Sequence, residues 1–596
     1  AIDRGIAQDG AFYLFTLRLI PVIPFFAVNL LMGLTPIRAV TFYLVSQIGM
    51  LAGTAVYVNA GTRLSELTSV SGILSWRLLV SFALLGLFPW VAKFALGLVR
   101  HRRAYAGYKR PARFDRNLIV IGAGAAGLVS AYVAAAVKAK VTIVEANRMG
   151  GDCLNFGCVP SKALIRSARL AHQMRHADRY GLEPVEPGIP FRRVFARIRD
   201  VIAAIEPHDS AERYERLGVE VIKGHARLVD PWTVEIARGE GRTDRMTSRA
   251  IILATGAAPA VPPLPGLETV GYLTSDTLWE EMARRETAPR RLVVLGGGPI
   301  GCELAQSFAR LGSKVTQIEM LPRLLIREDA DAAEAVRAAL VSDGVTVLTG
   351  HRARAFGLSD GEKWIEVEAD GAWRRIGFDD VIIAVGRAAR LTGYGLEDLG
   401  IPTGKVIETN EWLETRFPNI YAVGDAAGPY QFTHIAAHQA WFASINALFG
   451  VFRRFRVDYR VIPWATFTDP EVARVGLSET EAKAKGIAFE VTRYGIEDLD
   501  RAIADGSAEG FVKVLTPPGK DRILGATIVG AHAADLLAEF VFAMKHGKGL
   551  GAILSAIHIY PTLAEANRFV AGEWRRAHVN PRALALLERF HAWRRG

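Results

Sequence analysis

The sequence predicts a multidomain protein: an N-terminal α-helical membrane domain, an α/β body with two nucleotide-binding units, and an α+β domain near the C-terminus. Three observations carry this. Apolar residues crowd positions 11–99, a glycine-rich strand–turn–helix pattern occurs twice further on, and 596 residues exceed one compact core at roughly 100–200 residues per domain. Three cysteines exclude a disulfide-stapled scaffold and a four-cysteine zinc module. The formal net charge is +11, and two stretches hold all of it. Residues 100–116 carry Arg100, Arg102, Arg103, Lys109, Arg110, Arg113 and Arg116 against Asp115 alone. Residues 574–596 carry Arg575, Arg576, Arg582, Arg589, Arg594 and Arg595 against Glu588. A nucleic-acid binder spreads its basic surface over a fold with aromatics interleaved. Charge beside a hydrophobic segment points instead to a membrane surface.

A bilayer core needs about 20 apolar residues as a helix. Residues 39–60, without a charge, and 78–99, with Lys93 alone, are the two candidate spans. Residues 11–34 place Arg18, Pro21, Pro24 and Asn29 inside an apolar run. The prolines break the helix ladder, and a charged Arg18 there requires a cavity or a polar partner. The run R-L-I-P-V-I-P-F-F-A-V-N-L-L-M-G-L-T (18–35) resembles the core motif of the DedA-like, SNARE-associated membrane family. The resemblance implies a re-entrant hairpin, a link to lipid or solute movement, and a partial domain of this kind over residues 1–99. The basic run after the last candidate span places residue 100 onward on the cytoplasmic side of the inner membrane, with a multi-pass anchor before it.

After the basic linker (100–116), N-L-I-V-I-G-A-G-A-A-G (117–127) runs an apolar strand into Gly122, Gly124 and Gly127. The first glycine permits the tight turn, the second admits a pyrophosphate, and the third lets helix pack on strand. V-T-I-V-E then ends a strand at Glu145, 18 residues past Gly127, where a carboxylate can accept ribose hydroxyls. R-L-V-V-L-G-G-G-P-I-G (291–301) repeats the pattern with Gly296, Gly298 and Gly301, and K-V-T-Q-I-E ends at Glu319. Two cradles imply two dinucleotides. A carboxylate at the second repels a 2′-phosphate, which favours NAD over NADP, although Arg323 and Arg327 lie close behind.

Between the cradles lies G-G-D-C-L-N-F-G-C-V-P-S-K (150–162). Cys153 and Cys158 have too few thiolate or imidazole neighbours for zinc, so no metal site is expected. A cytosolic setting disfavours a structural disulfide. A redox-active pair remains, with Lys162 and the helix that follows to lower a thiol pKa. The C-x4-C-V-P-S-K spacing is similar to the pyridine nucleotide–disulfide oxidoreductases, among them dihydrolipoamide dehydrogenase, glutathione reductase and mercuric reductase. Further matches are I-L-A-T-G with Thr255 and Gly256, A-V-G-R with Gly386 and Arg387, and I-Y-A-V-G-D with Gly424 and Asp425.

This resemblance implies an α/β two-Rossmann-type FAD/NAD(P) flavoprotein with an α+β dimerisation domain, working as a homodimer. It assigns residues 117–275 and 385–455 to FAD binding, 276–384 to NAD(P) binding, 456–575 to dimerisation, and 576–596 to a basic amphipathic tail. It makes Cys158 the thiolate next to the flavin and Cys153 the interchange thiol. Lys162 pairs with Glu303 at the flavin N5, and Asp425 binds the ribityl chain. Cys302 reads as inert packing. The chain departs from the family at A-I-H-I-Y-P-T-L-A-E (556–565). Family disulfide reductases carry His-Pro and, five residues after the histidine, Glu from the second subunit. Alignment on Pro561 and Glu565 puts Tyr560 at the histidine, with His558 two residues earlier as the other candidate. A tyrosine there is similar to mercuric reductases, whose C-terminal cysteine pair this tail lacks.

The function expected is an FAD-dependent NAD(P)H oxidoreductase tethered to a membrane. It passes hydride equivalents through the Cys153–Cys158 disulfide to a small-molecule electron acceptor. The alternatives are a redox-sensing membrane transporter or scramblase, a mercuric-reductase-like metal ion reductase, and a cofactor-binding scaffold without turnover.

Overall fold

The computed structural model describes residues 14, 15, 17, 18, 25–33, 35, 37–65, 80, 102–239 and 241–596. They fall into two compact units, Ala1–Arg110 and Pro111–Gly596. In the first, the helices α1 (Phe25–Gly33) and α2 (Ala39–Ser65) are present. Leu14, Val28 and Met32 form a buried cluster, with Leu17, Ile37, Phe42 and Val45 packed against it. Arg18 is 6% exposed. Its guanidinium donates to Ser46 Oγ at 3.1 Å and to Asn29 Oδ1, and stands over the Phe42 ring. A buried guanidinium is tolerable only when its donors find acceptors, and these two residues supply them.

Residues 39–60 lie within α2, yet among the described residues no helix is long and apolar enough to cross a membrane. The expected span at 39–60 forms most of this 27-residue helix and carries no charge. The expected span at 78–99, Val80 apart, and the prolines at 21 and 24 lie outside the described residues.

The second unit opens with β1 (Arg116–Ile121), whose last four residues are all buried, as a strand covered on both faces requires. The helix α3 (Ala125–Ala136) leads to β2 (Val141–Glu145), then to α4 (Gly151–Asn155) and α5 (Cys158–Arg175). Next come β3 (Val219–Lys223), β4 (His225–Asp230), β5 (Thr233–Ala237) and β6 (Thr243–Leu253). The sheet runs β3-β2-β1-β6-β5-β4. Its β3-β2-β1-β6 part is parallel, and β4, β5 and β6 form an antiparallel meander.

A second parallel sheet follows, with β7 (Arg291–Leu295), the helix α6 (Pro299–Arg310), β8 (Lys314–Glu319), β9 (Thr346–Thr349) and β10 (Asp380–Ile383). Its order is β9-β8-β7-β10, and an antiparallel three-stranded sheet within 352–378 lies between β9 and β10 in the chain. The chain then returns to the first sheet. β11 (Ile420–Ala422) pairs in parallel with β6 and runs toward the helix α7 (Thr433–Phe449). The first sheet is therefore built from two separated stretches, with residues 254–419 between β6 and β11.

The last sheet is antiparallel, from β12 (Pro463–Thr466), β13 (Glu471–Gly476), β14 (Glu490–Gly495), β15 (Phe511–Thr516) and β16 (Gly525–Gly530), in the order β12-β13-β16-β15-β14. The helices α8 (Ala533–Lys545) and α9 (Glu565–Ala577) bury Phe540, Val570 and Trp574 in a core shared with Val514 and Ile528. Two buried cations tie this domain to the segment 328–331 after β8, where a helix begins. Lys513 Nζ lies 3.0 Å from Asp329 and 2.8 Å from Asp331, and Arg474 Nε lies 3.0 Å from Glu328. The helix α10 (Pro581–Arg595) starts where Asn580 accepts a hydrogen bond from Arg582 N, with Pro581 in the first turn, and buries no residue.

Candidate functional site

Each cradle is a close approach of main chain that only glycine allows. Gly122 has φ +102°, and a Cβ there would sit 2.3 Å from the Ala254 carbonyl oxygen. A Cβ on Gly127 would sit 1.8 Å from the Gly122 oxygen, so α3 could not lie against β1. Glu145 closes the turn, with Oε2 accepting from Ala123 N at 2.6 Å and Oε1 from Asn147 N at 2.7 Å. The second cradle repeats the first. Glu319 accepts from Gly297 N at 2.6 Å and Leu321 N at 2.7 Å, and a Cβ on Gly301 would lie 2.1 Å from the Gly296 oxygen. A Cβ on Gly298 meets nothing within 4 Å, so the approach to the start of α6 is open. Arg323, close behind Glu319 in the sequence, donates to the carbonyls of Leu325, Ile326 and Glu328.

Cys153 lies in the short α4 and Cys158 opens α5, so one tight connection brings the two thiols close enough to act on each other's titration. The hydroxyl of Thr433, the first residue of α7, is 3.5 Å from Cys158 Sγ. The Cys153 hydrogen bond pulls the Cys158 thiol down to about 6, helped by Thr433 and the Lys162 charge and opposed by burial. Sharing its proton with Cys158, together with burial, pushes Cys153 up. The pair thus holds one thiolate and one thiol at neutral pH.

One turn into α5, Lys162 Nζ is 2.8 Å from Glu303 Oε2 on α6, and it stands 4.4 Å from the Phe467 ring centroid. Phe467 N donates to Glu303 Oε1 at 2.9 Å. The Glu303 side chain is 6% exposed, and these two partners occupy its two oxygens. Asp425 and Asp152 converge on Arg387, which pairs with Asp152, approaches Asp425 to 3.9 Å and donates to the Ala257 carbonyl at 3.0 Å. Burial pushes Asp425 up to about 6 against the pull of Arg387. Thr255 shares a 3.1 Å hydrogen bond with Tyr394 beside Gly256, which has φ +68°. Gly386, with φ +137°, leads into Arg387. Gly424 N donates to the buried Gln439 at 2.6 Å, which anchors the turn that carries Asp425. Cys302 is fully buried, and burial pushes its thiol up to about 12.

The other three expected residues lie in the end domain. Tyr560 is 68% exposed, and its hydroxyl donates to Asp500 Oδ2 at 2.9 Å. His558 Nε2 faces Glu539 at 3.1 Å with its side chain 7% exposed. Glu565 is buried and accepts from Thr562 N at 3.2 Å. His558 is therefore held inside its own domain.

Residues 116–440 match the family described as pyridine nucleotide-disulphide oxidoreductase, and residues 462–569 match its dimerisation domain. The chain belongs to this family. This pyridine nucleotide-disulphide oxidoreductase is 32% identical over 454 residues to a mercuric reductase of Bacillus cereus, covering 76% of this chain and 70% of that one. It is also 32% identical over 452 residues to a dihydrolipoyl dehydrogenase of Chlamydia pneumoniae, covering 75% of this chain and 95% of that one. Among solved structures it resembles LpdA of Mycobacterium tuberculosis, with TM-score 0.70 and 26% identity over 77% of this chain and 99% of that one. It likewise resembles the HOCl-induced flavoprotein disulfide reductase RclA of Escherichia coli, with TM-score 0.66 and 25% identity over 76% of this chain and 99% of that one. Residues 1–63 match the VTT domain. As a member of this family the chain is an FAD- and NAD(P)H-dependent oxidoreductase. Each cradle fits a dinucleotide such as FAD or NAD, because its glycines leave main chain where a pyrophosphate lies and a glutamate stands at the strand end.

The spacing did not point to Thr433 or Phe467, which reach the site from distant segments, or to Asp152 beside Cys153. The thiol pair carries a pH prediction. Alkylation of the reduced chain by iodoacetamide should rise through a midpoint near pH 6, matching the lowered Cys158 thiol, because thiolate accumulates above the pKa. Lys162→Met should move that midpoint to higher pH. An ordinary cysteine midpoint of about 8.5 in the unaltered chain would contradict the site described.

Proposed function

We propose that this protein is a membrane-associated, NADH-dependent flavoenzyme that reduces a small-molecule acceptor through the Cys153–Cys158 dithiol. The observation that carries the reading is the contact between the two thiols beside Thr433 and the Lys162–Glu303 pair. Gly122, Gly124, Gly127, Glu145 and Asp425 are positioned to hold FAD, which supplies the hydride-accepting ring when bound. Lys162 is fixed by Glu303 and Phe467, so its ammonium is presented in one orientation. Cys158 holds its electron pair as thiolate, and Cys153 retains the proton. Oxidation of this thiolate–thiol pair releases two electrons and the one proton held by Cys153, and forms one S–S bond; the acceptor takes its second proton from solvent. Glu319, held by two backbone amides, disfavours a 2′-phosphate and supports NADH over NADPH.

Homodimerisation is supported by the dimerisation-domain match and by large apolar side chains that this domain exposes, among them Ile557 (100%), Ile559 and Phe542. In such a dimer Tyr560 and Glu565 approach the dithiol of the second copy. Membrane association is supported by the VTT match at residues 1–63 and by the basic stretch that follows. It is supported too by α10, where exposed Leu584, Leu587, Phe590 and Trp593 stand among arginines. We place the enzyme domains on the cytoplasmic face of the inner membrane, behind a multi-pass anchor.

Anaerobic reduction tests the reading. NADH added to the oxidised full chain should release two titratable thiols before denaturation, Cys302 reacting only after it. A chain that consumes NADH and releases no thiol would overturn the dithiol role.

A further inference from the structure

We propose that Asp500 is a positioning residue for this reaction. Its hydrogen bond with the Tyr560 hydroxyl turns the phenol so that only oxygen lone pairs face the dithiol of the second copy. The proposal rests on the reading that Tyr560 completes that site.

The geometry departs from the pattern expected of the sequence. The acid five residues after position 560, Glu565, is 4% exposed, and its carboxylate is committed to the Thr562 amide. The nearby imidazole, His558, is committed to Glu539. A different carboxylate, 60 residues earlier in the chain, takes the phenol at 2.9 Å. A phenol has one hydrogen and two lone pairs. Once the hydrogen is given to a carboxylate, the oxygen can only accept from anything outside. The ring is 68% exposed, in the same segment as the exposed Ile557 and Ile559.

The charges around the phenol are of one sign. Asp500 touches it, and Glu565 acts on it through space. The neighbouring cation Arg501 is paired with Asp505 at 2.7 Å. The hydrogen bond to Asp500, followed by the two carboxylate charges, holds the Tyr560 hydroxyl above the usual phenol range. Tyr560 thus stays neutral through the working pH range. Facing a thiol, an oxygen of this kind accepts the S–H hydrogen bond and orients it. It does not remove the proton, as an imidazole would. The Tyr560–Asp500 pair replaces a proton-shuttling dyad with one that holds the interchange thiol protonated and aligned.

The test compares the dimeric full chain with Asp500→Asn, Asp500→Glu, Tyr560→Phe and the Asp500→Asn/Tyr560→Phe double variant. NADH-driven reduction of the aromatic disulfide dithiobis(nitrobenzoate) is followed against pH. Asp500→Asn should lower kcat/KM roughly five- to tenfold, the scale of one charge-assisted hydrogen bond. It should also move the alkaline limb of the profile to lower pH, because the phenol loses its anionic partner. Asp500→Glu should restore both, and Asp500→Asn should add nothing to Tyr560→Phe. An unchanged limb in Asp500→Asn, or an equal loss in the Tyr560→Phe background, would overturn the proposal. Thiol release on NADH addition, without any acceptor, is read in the unaltered chain. Its absence there would instead bring down the dithiol reading, and this proposal with it.

Discussion

Serine at position 158 should abolish electron delivery to the acceptor while leaving the chain folded. Cys158 sits at the first position of α5 and is exposed, so exchange of sulfur for oxygen costs well under about 1 kcal/mol of stability. The chemical loss is far larger. Without the second sulfur no S–S bond can form, and the two-electron store disappears. NADH-linked turnover of a disulfide acceptor should fall by about a thousandfold or more, the scale of losing a covalent nucleophile. Cys153→Ser should lose turnover to a similar degree yet keep the lowered Cys158 thiol, since a serine hydroxyl can still donate to the thiolate. The two variants therefore separate by iodoacetamide reactivity at pH 7, high in Cys153→Ser and absent in Cys158→Ser. Full turnover in either would show that the electrons bypass the sulfurs.

The second large effect belongs to the first cradle. Gly127→Ala places a Cβ 1.8 Å from the Gly122 oxygen, where both atoms are held by main chain and neither can swing away. The helix must leave the strand, at a cost of about 3 kcal/mol or more. The expected outcome is loss of FAD and a fall in Tm of several degrees. Gly298→Ala is the matched control, since the added carbon meets nothing within 4 Å. It should melt like the unaltered chain and show only a raised KM for NADH. Equal melting of the Gly127→Ala and unaltered chains would refute the packing argument.

The cradles were legible in the sequence because their constraint is local. Gly122, Gly124 and Gly127 must lie within one turn of each other, and Glu145 must end the next strand. The cysteine pair was legible for the same reason. Contacts of long range left no such trace. Thr433 reaches Cys158 across 275 positions, Arg387 reaches Asp152 across 235, and Phe467 reaches Glu303 across 164. A threonine before an apolar helix or an aspartate beside a cysteine is ordinary in isolation. Asp500 carried no signal either, because the sequence suggested Glu565 as the carboxylate for position 560. At the N-terminus, counting apolar residues located the helix that covers 39–60.

The return of β11 to β6 has a consequence for biosynthesis. A ribosome delivers the chain from one end, so the first sheet lacks its β11 strand, and the Asp425 turn that follows it, until residue 422 has emerged. By then the β7–β10 sheet is already available and can fold as its own unit. During that interval the edge of β6 is open to stray strand pairing. A nascent chain arrested before residue 420 should accordingly resist proteolysis across 291–383 while remaining cleavable around β6.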